Sequence, residues 1–383
     1  MTNLAVFFGG KSTEHDVSIV TAMQMINFLD KSKYNIFAVY VDKNNKLFVL
    51  KDLKQMNLSL FKQQPNKKNF YEGLMQFGDN CLYKKHKNKI HTLTNIDVGL
   101  MCFHGGMGED GSFSGFASCS NFPITCSSFV AMGLAMQKDK TKQVCQESEI
   151  SISNYEIITK QDWTNNCEEF YESVLAKLGT NIVVKPNSQG SSIGVSVAKT
   201  KQEFFDAVEL AFEFDNKVVC ETQIQNLREF NCSAMQDQDG NILISEVEEP
   251  TIKDEILSFK SKYLSGGKSV KGGEKMRGMA SLSRRFPANI SKKLKEKIQQ
   301  QTKLIYSKLG LCGVVRVDFL FDKTEELLFL NEVNTIPGSL AYYFWKPYFK
   351  TESLFLDNLI QSAIRLFEKN KPKTTVFDSC ILG

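Results

Sequence analysis

The chain has 383 residues, 42% of them hydrophobic, which is more than one ordinary core holds and points to two or three domains. A formal net charge of +4 with 23% charged residues does not call for nucleic acid as a partner, and it suits anionic ligands such as nucleotides. No apolar stretch approaches the roughly 18 residues of a membrane span, and the start lacks the basic segment and long apolar core of a secretory signal. Ten scattered cysteines include no Cys-x-x-Cys pair, which argues against a zinc ribbon or a dithiol redox motif. Such cysteines fit reduced thiols, so the expectation is a cytoplasmic protein with no membrane and no nucleic-acid partner.

In chain order, residues 4–8 predict a buried strand ending in two glycines, 17–29 a helix and 36–41 a second strand. Residues 43–91 are rich in Lys and Asn and read as surface decoration. Residues 96–103 predict a third buried strand, followed by the glycine-rich stretch 104–111. This alternation implies a parallel sheet with ligand loops at the strands' carboxyl ends. Residues 128–144 read as one helix leading out of this part. A second part shows strands at 182–185, 195–198 and 218–221, a Gly/Ser loop at 187–194 and a helix at 202–214. A third part has strands at 230–235 and 242–247, then a polar, glycine-bearing segment at 260–282. A helix at 291–309 and strands at 313–321 and 327–331 follow. An amphipathic helix near 354–367 precedes a polar tail.

Four clusters bear on chemistry. In the first, strand alternation places Arg316 and Asp318 on one face, and Glu332 and Asn334 on one face of the partner strand. Paired, the strands aim Asp318, Glu332 and Asn334 at one point, a hard-oxygen set suited to Mg²⁺ carrying phosphates. Either strand alone reads more simply as the wet face of a sheet. The turn Thr335-Ile336-Pro337-Gly338-Ser339 that follows favours a site. The second cluster is Lys185 at the end of a buried strand, then a Gly/Ser loop to Gly194, which can fold over phosphates. An isolated loop of this kind is usually a surface turn, and the lysine tips the reading.

In the third, Gly9-Gly10-Lys11-Ser12 is not a P-loop, because Ala5 stands where that motif needs a glycine. Glu14 and Ser18 follow at helical spacing, within reach of a substrate amine or else as a helix cap and first-turn acid. The fourth is His104, directly after a buried strand and inside a glycine-rich loop, with Glu109 and Asp110 ahead of a helix.

Together these residues resemble the D-alanine–D-alanine ligases of the ATP-grasp superfamily. The resemblance covers nearly the whole chain. Its motifs are Gly9 to Ser18, His104 to Gly111, Lys185-Pro186, Gly190 to Gly194, Lys262-Tyr263-Leu264, Arg316-Val317-Asp318 and Asn331 to Gly338. It implies an α/β and α+β chain: an ATP-grasp fold behind an N-terminal parallel-sheet domain. The implied domains are an N-terminal substrate-binding domain (1–132), a central ATP-grasp subdomain (133–222) and a C-terminal one (223–383) with a lid at 260–282.

By the same resemblance, Lys138 and Lys185 would hold the α- and β-phosphates of ATP. Glu221 and the backbone at Ile224 would meet the adenine, Glu229 the ribose, and Lys262 the γ-phosphate. Asp318, Glu332 and Asn334 would bind two Mg²⁺ ions, or Mn²⁺ in their place. Glu14 would hold the ammonium of the first D-alanine, with His104 near its carboxylate. Ser191 and Tyr263 would join Glu14 in a hydrogen-bonded trio that closes the lid. Arg316 and the Gly338 N–H would stabilise the oxyanion formed when the second D-alanine attacks. The family also suggests a homodimer.

Three departures stand out. The family's short Ser/His stretch after Gly338 reads Ser339-Leu340-Ala341-Tyr342-Tyr343-Phe344-Trp345 here. Ser339 is the candidate for the second substrate's carboxylate, although direct alignment brings Tyr343 there. Cys126 replaces a usual glycine, and the lid is long and basic. The rival readings are a D-alanine–D-serine or D-lactate ligase, another ATP-grasp carboxylate–amine ligase, and a non-catalytic nucleotide-binding protein. Tyr263 argues against the lactate type, and the intact metal set argues against a non-catalytic chain. A dinucleotide oxidoreductase lacks its Gly-x-Gly-x-x-Gly spacing.

Overall fold

The apolar run near the N-terminus is continuous because both its faces are covered. Residues 4–8 of strand β1 (Thr2–Gly9) are fully buried. In the computed structural model, which describes residues 1–87, 89–251 and 284–371, β1 lies between two parallel neighbours. These are β2 (Tyr34–Val41) and β7 (Val98–Met101), with helix α1 (His15–Phe28) as the crossover after β1. Ser18 is buried inside this unit. Its hydroxyl accepts from Gly9 N–H at 2.7 Å and donates to the Cys102 carbonyl at 2.7 Å, so it ties two strand ends together and does not face a substrate amine.

Residues 43–91 are more than decoration. Strands β3 (Leu47–Leu50), β4 (Phe70–Leu74), β5 (Cys81–His86) and β6 (Lys89–Asn95) pair antiparallel and extend the sheet to seven strands, in the order β6-β5-β4-β3-β2-β1-β7. The parallel sheet expected here is therefore confined to β2-β1-β7. The added strands are short, and β6 is mostly exposed and carries lysine at its start, as suits a protected sheet edge. Such strands leave little periodic signal. Tyr40, Phe48, Phe61 and Phe70 pack their rings together beneath them.

Helix α2 (Ser112–Cys119) follows the glycine-rich loop. The single helix expected over 128–144 is two, α3 (Phe129–Met136) and α4 (Lys138–Glu147). Gln137 between them is extended. The cap of α4 comes from far along the chain: Asn187 accepts from Lys138 N–H at 3.0 Å through its carbonyl and from Asp139 N–H at 2.9 Å through Oδ1. A local reading of sequence has no access to that cap.

The second sheet is antiparallel, in the order β10-β9-β11-β8. It consists of β8 (Tyr155–Thr159), β9 (Ile182–Pro186), β10 (Ser196–Ala198) and β11 (Lys217–Thr222). Helices α5 (Lys160–Leu178) and α6 (Lys201–Phe212) cover it, and Thr200 and Glu203 form a capping box at the start of α6. Neither β8 nor α5 is legible in the pattern. The third sheet runs β14-β13-β12-β15-β16. Its strands are β12 (Leu227–Gln236), β13 (Ile242–Pro250), β14 (Arg284–Arg285), β15 (Val315–Asp322) and β16 (Leu327–Asn334). Helix α7 (Lys292–Lys308) packs on it, and α8 (Glu352–Asn370) ends the described chain.

The C-terminal residues return to the first core. Phe344, Trp345, Phe355, Leu356, Leu359 and Ile360 are buried with the side chains of β1 and β7. Trp345 is fully buried, and its indole N–H donates to Ser233 Oγ on β12 at 3.2 Å, so one side chain holds the first and third sheets together. Trp345→Ala should destabilise the protein by about 3–5 kcal/mol and Trp345→Phe by clearly less, measured as urea unfolding followed by circular dichroism.

Candidate active site

The register of β15 and β16 pairs Arg316 with Asn334 and Asp318 with Glu332. All four side chains share one face, as alternation predicts. Neighbouring strands lengthen the row, because Asn231 of β12 lies opposite Asp318 and Glu248 of β13 opposite Asn231. Arg316 grips Asp318 with a two-pronged contact, Nε to Oδ1 and Nη2 to Oδ2, both 2.6 Å. The Asn334 amide donates to the same Oδ2 at 3.0 Å. Burial pushes Asp318 up to about 6 even so, with Glu332 and Glu229 adding to the rise and Arg316 opposing it.

These residues fit a hard divalent cation. A carboxylate has about four acceptor positions, and Arg316 and Asn334 occupy three on Asp318. One position remains there, together with the Asn334 carbonyl and the two Glu332 oxygens. Phosphate and water oxygens would complete the shell. Among the described residues no cluster of three His, Cys, Asp or Glu side chains exists, so the carboxamide is needed to finish the set.

Facing this row is a nest of lysines. Lys185, at the end of β9, donates to Glu221 Oε2 on β11 at 3.0 Å and to Asn331 Oδ1 on β16 at 3.0 Å, bridging the second and third sheets. Lys142, one turn after Lys138 on α4, stands 3.2 Å from Glu221 Oε1, and Ser153 donates to Oε2 at 2.9 Å. Burial opposes the charge on Glu221, but Lys185 and Lys142 outweigh it and bring the carboxyl down to about 2. Lys138 donates to the Gln189 carbonyl at 2.5 Å and lies 3.9 Å from Glu332. Burial holds Lys138 and Lys142 below the usual lysine range. A narrow cleft opens here, lined by Glu109, Lys138, Gln189, Gly190, Glu332 and Asn334 among others.

The N-terminal clusters reach the same cleft. Ser191, in the left-handed region at φ +50°, donates its hydroxyl to Glu14. Gly105 passes so close that a Cβ there would lie 2.5 Å from Ser12 Oγ and 3.0 Å from Glu14 Oε2. Burial raises Glu14, helped by Glu109 and Glu332 and opposed by Ser191 and His104. His104 is buried, with Nε2 2.8 Å from Thr21 Oγ1 and Nδ1 3.8 Å from Glu109 Oε1.

The structure thus brings together Glu14, His104, Lys138, Lys185, Ser191, Glu221, Arg316, Asp318, Glu332 and Asn334. Glu229 lies exposed on β12, and Ile224 sits half-buried in the connection between β11 and β12. Lys262 and Tyr263, with the segment 260–282, lie outside the described residues. Ser339 departs from expectation. It is buried, and its hydroxyl donates to Gln24 Oε1 on α1 at 2.7 Å, so it is turned into the helix and away from open space. Tyr343 is stacked under the Arg284 guanidinium at 4.1 Å, and Arg284 pairs with Glu248 at 2.8 Å.

Sequence reasoning missed Lys142, Ser153 and Asn331. The i, i+4 spacing of Lys138 and Lys142 was a usable signal for the first. Glu221→Gln strands two buried ammonium groups and should lose about 3–5 kcal/mol at pH 7. Because Glu221 lies below its ordinary value of 4.5, its contribution is fully present above that pH and fades as pH falls towards 2. The stability gap between wild type and Glu221→Gln in urea unfolding should therefore narrow below pH 4.5.

Comparison with known proteins agrees with this geometry. The family description "D-ala D-ala ligase N-terminus" matches residues 3–127, and "D-ala D-ala ligase C-terminus" matches residues 144–365. The D-alanine–D-alanine ligase of Thermosipho melanesiensis is 35% identical over 373 residues, covering 97% of this chain and 96% of that protein. The solved D-alanine–D-alanine ligase of Helicobacter pylori superposes with a TM-score of 0.74 at 25% identity, over 94% of this chain and 98% of its own. The VanG D-Ala:D-Ser ligase of Enterococcus faecalis has a TM-score of 0.78, covering 94% and 99%, and at 24% identity speaks to the fold alone. The chain belongs to the D-alanine–D-alanine ligase family and has its ATP-grasp fold.

Proposed function

We propose that this protein joins two D-alanines into D-alanyl-D-alanine, with cleavage of ATP to ADP and phosphate, for peptidoglycan precursor synthesis. One observation above all supports this. The Glu14–Ser191 hydrogen bond sets a carboxylate suited to a substrate ammonium against the loop that would cover the phosphates. Lys138 and Lys185 neutralise phosphate charge. Glu221 and the backbone at Ile224 form the adenine end, and Glu229 meets the ribose. Lys262 is assigned to the γ-phosphate, and Tyr263 to the trio with Glu14 and Ser191, by the family resemblance alone. Asp318, Glu332 and Asn334 would hold two Mg²⁺ ions, or Mn²⁺, which would supply neutralisation of charge on the phosphate oxygens during transfer.

The chemistry runs in two steps. A carboxylate oxygen of the first D-alanine, held by Glu14 and His104, attacks the γ-phosphorus, and ADP leaves. The amine of the second D-alanine attacks the resulting acyl phosphate, and the Arg316 guanidinium and Gly338 N–H meet the oxyanion. Collapse expels phosphate, which carries away the proton that the amine gives up. Closure of the site protects the acyl phosphate from water. Ser339 takes no part at the second carboxylate in this reading, because its hydroxyl is committed to α1.

The three sheets support a division at 1–132, 133–222 and 223–383, although the last section lends its end to the first core. No helix among the described residues is long and apolar enough to cross a membrane, and nine free cysteines are described. A cytoplasmic location and a homodimer are proposed on the family resemblance alone.

Phosphate release should depend on D-alanine when D-alanine, D-serine, D-lactate and L-amino acids are compared and products identified. Phosphate release without D-alanine dependence would refute the substrate assignment, and a mixed D-alanyl-D-serine product in preference to D-alanyl-D-alanine would change the second substrate. Glu332→Gln should lower turnover by at least about 100-fold at saturating Mg²⁺.

A further inference from the structure

We propose that Thr21 and Gln24, one turn apart on α1, are positioning residues that clamp the turn after Gly338 and fix the His104 ring, so that the first-carboxylate pocket and the oxyanion-binding N–H form one mechanical unit. The proposal rests on the roles given to His104 and Gly338 above.

The clamp is visible as strain and as the contacts that hold it. Ser339, Leu340 and Ala341 all lie in the left-handed region, at φ +54°, +49° and +47°. None is glycine, and each such residue is disfavoured relative to ordinary backbone. Three in succession persist only where the surroundings over-determine them. Here Ser339 N–H donates to Thr21 Oγ1 at 3.2 Å, and its hydroxyl donates to Gln24 Oε1 at 2.7 Å. Leu340 and Ala341 are buried in the first core. One helix face of the N-terminal part therefore sets the backbone that begins at Gly338.

Thr21 has a second partner. Its Oγ1 is 2.8 Å from His104 Nε2 and is itself buried. A hydroxyl offers one proton and two acceptor lobes. Ser339 N–H takes one lobe. The proton is free to go to His104 Nε2, which leaves the imidazole proton on Nδ1, the atom that faces Glu109 Oε1 at 3.8 Å. Donation then runs in one direction, from Ser339 N–H through the Thr21 hydroxyl to His104 Nε2. The ring and the turn share an atom, so displacing one displaces the other.

The test uses the full-length protein. Thr21→Val keeps the shape and removes the hydroxyl, Thr21→Ser keeps the hydroxyl, and Gln24→Met removes only the acceptor of Ser339. Imidazole ¹⁵N shifts of His104 without ligand should report the Nδ1–H tautomer in wild type, Thr21→Ser and Gln24→Met, and a changed tautomer in Thr21→Val. In kinetics, Thr21→Val should raise the D-alanine KM and lower kcat, each by about tenfold or more, with the ATP KM within about twofold. Thr21→Ser should restore both, and Gln24→Met should lower kcat alone. An unchanged His104 tautomer in Thr21→Val overturns the clamp whatever the kinetics. A changed tautomer with unaltered D-alanine kinetics overturns the coupling, by showing that His104 and Gly338 do not act on the reacting carboxylate.

Discussion

One buried carboxylate organises the junction between the second and third sheets. Glu221 lies between Lys142 and Lys185, with Ser153 on the same oxygen as Lys185. A charge so buried persists only if it is matched, and here the match comes from a helix and from a neighbouring strand. Lys185 is then drawn on to Asn331, which sets the spacing of the second and third sheets. The cleft between them follows from that spacing. Lys142 and Lys185 meet one carboxylate in this nest, so its excess is positive. Across the cleft, Asp318 and Glu332 are only partly offset by Arg316, and burial already pushes Asp318 upward. A polyphosphate with a divalent cation answers both imbalances, which is why the geometry and the family agree.

The parts of the sequence that could be read were those whose structure is decided locally. Alternation on β15 and β16 gave the right face for Arg316, Asp318, Glu332 and Asn334, because the period of a strand is fixed. Leu4 to Phe8 announced a central strand, because burial on both faces leaves no polar position. Reading failed where distant residues decide. The break at Gln137 depends on Asn187, and Ser339 turns inward because Thr21 and Gln24 wait for it. Three strands within 43–91, and the start of a fourth, were hidden by their own edge chemistry, which puts lysine and asparagine where periodicity would be sought. The commitment of Glu221 to two lysines belongs to the fold, and only the helical spacing of Lys138 and Lys142 hinted at it.

One of the chain's three departures from its family is the stretch from Ser339 to Trp345. The structure gives that stretch a structural reason. Its first three residues are left-handed and held by α1, and its last residue is buried and bonded to Ser233 of the third sheet. Between them Tyr343 lies under Arg284. The same few residues therefore join two sheets and border the reacting centre. Change within them is constrained by packing as well as by substrate choice.

The central claim is that this architecture activates a carboxylate by phosphoryl transfer. Its most direct test is atom tracing with D-alanine labelled with ¹⁸O in both carboxylate oxygens. Attack on the γ-phosphorus and later loss of phosphate carry one carboxylate oxygen into the inorganic phosphate, so mass spectrometry should find one ¹⁸O per phosphate released. Unlabelled phosphate, formed alongside dipeptide, would contradict the account.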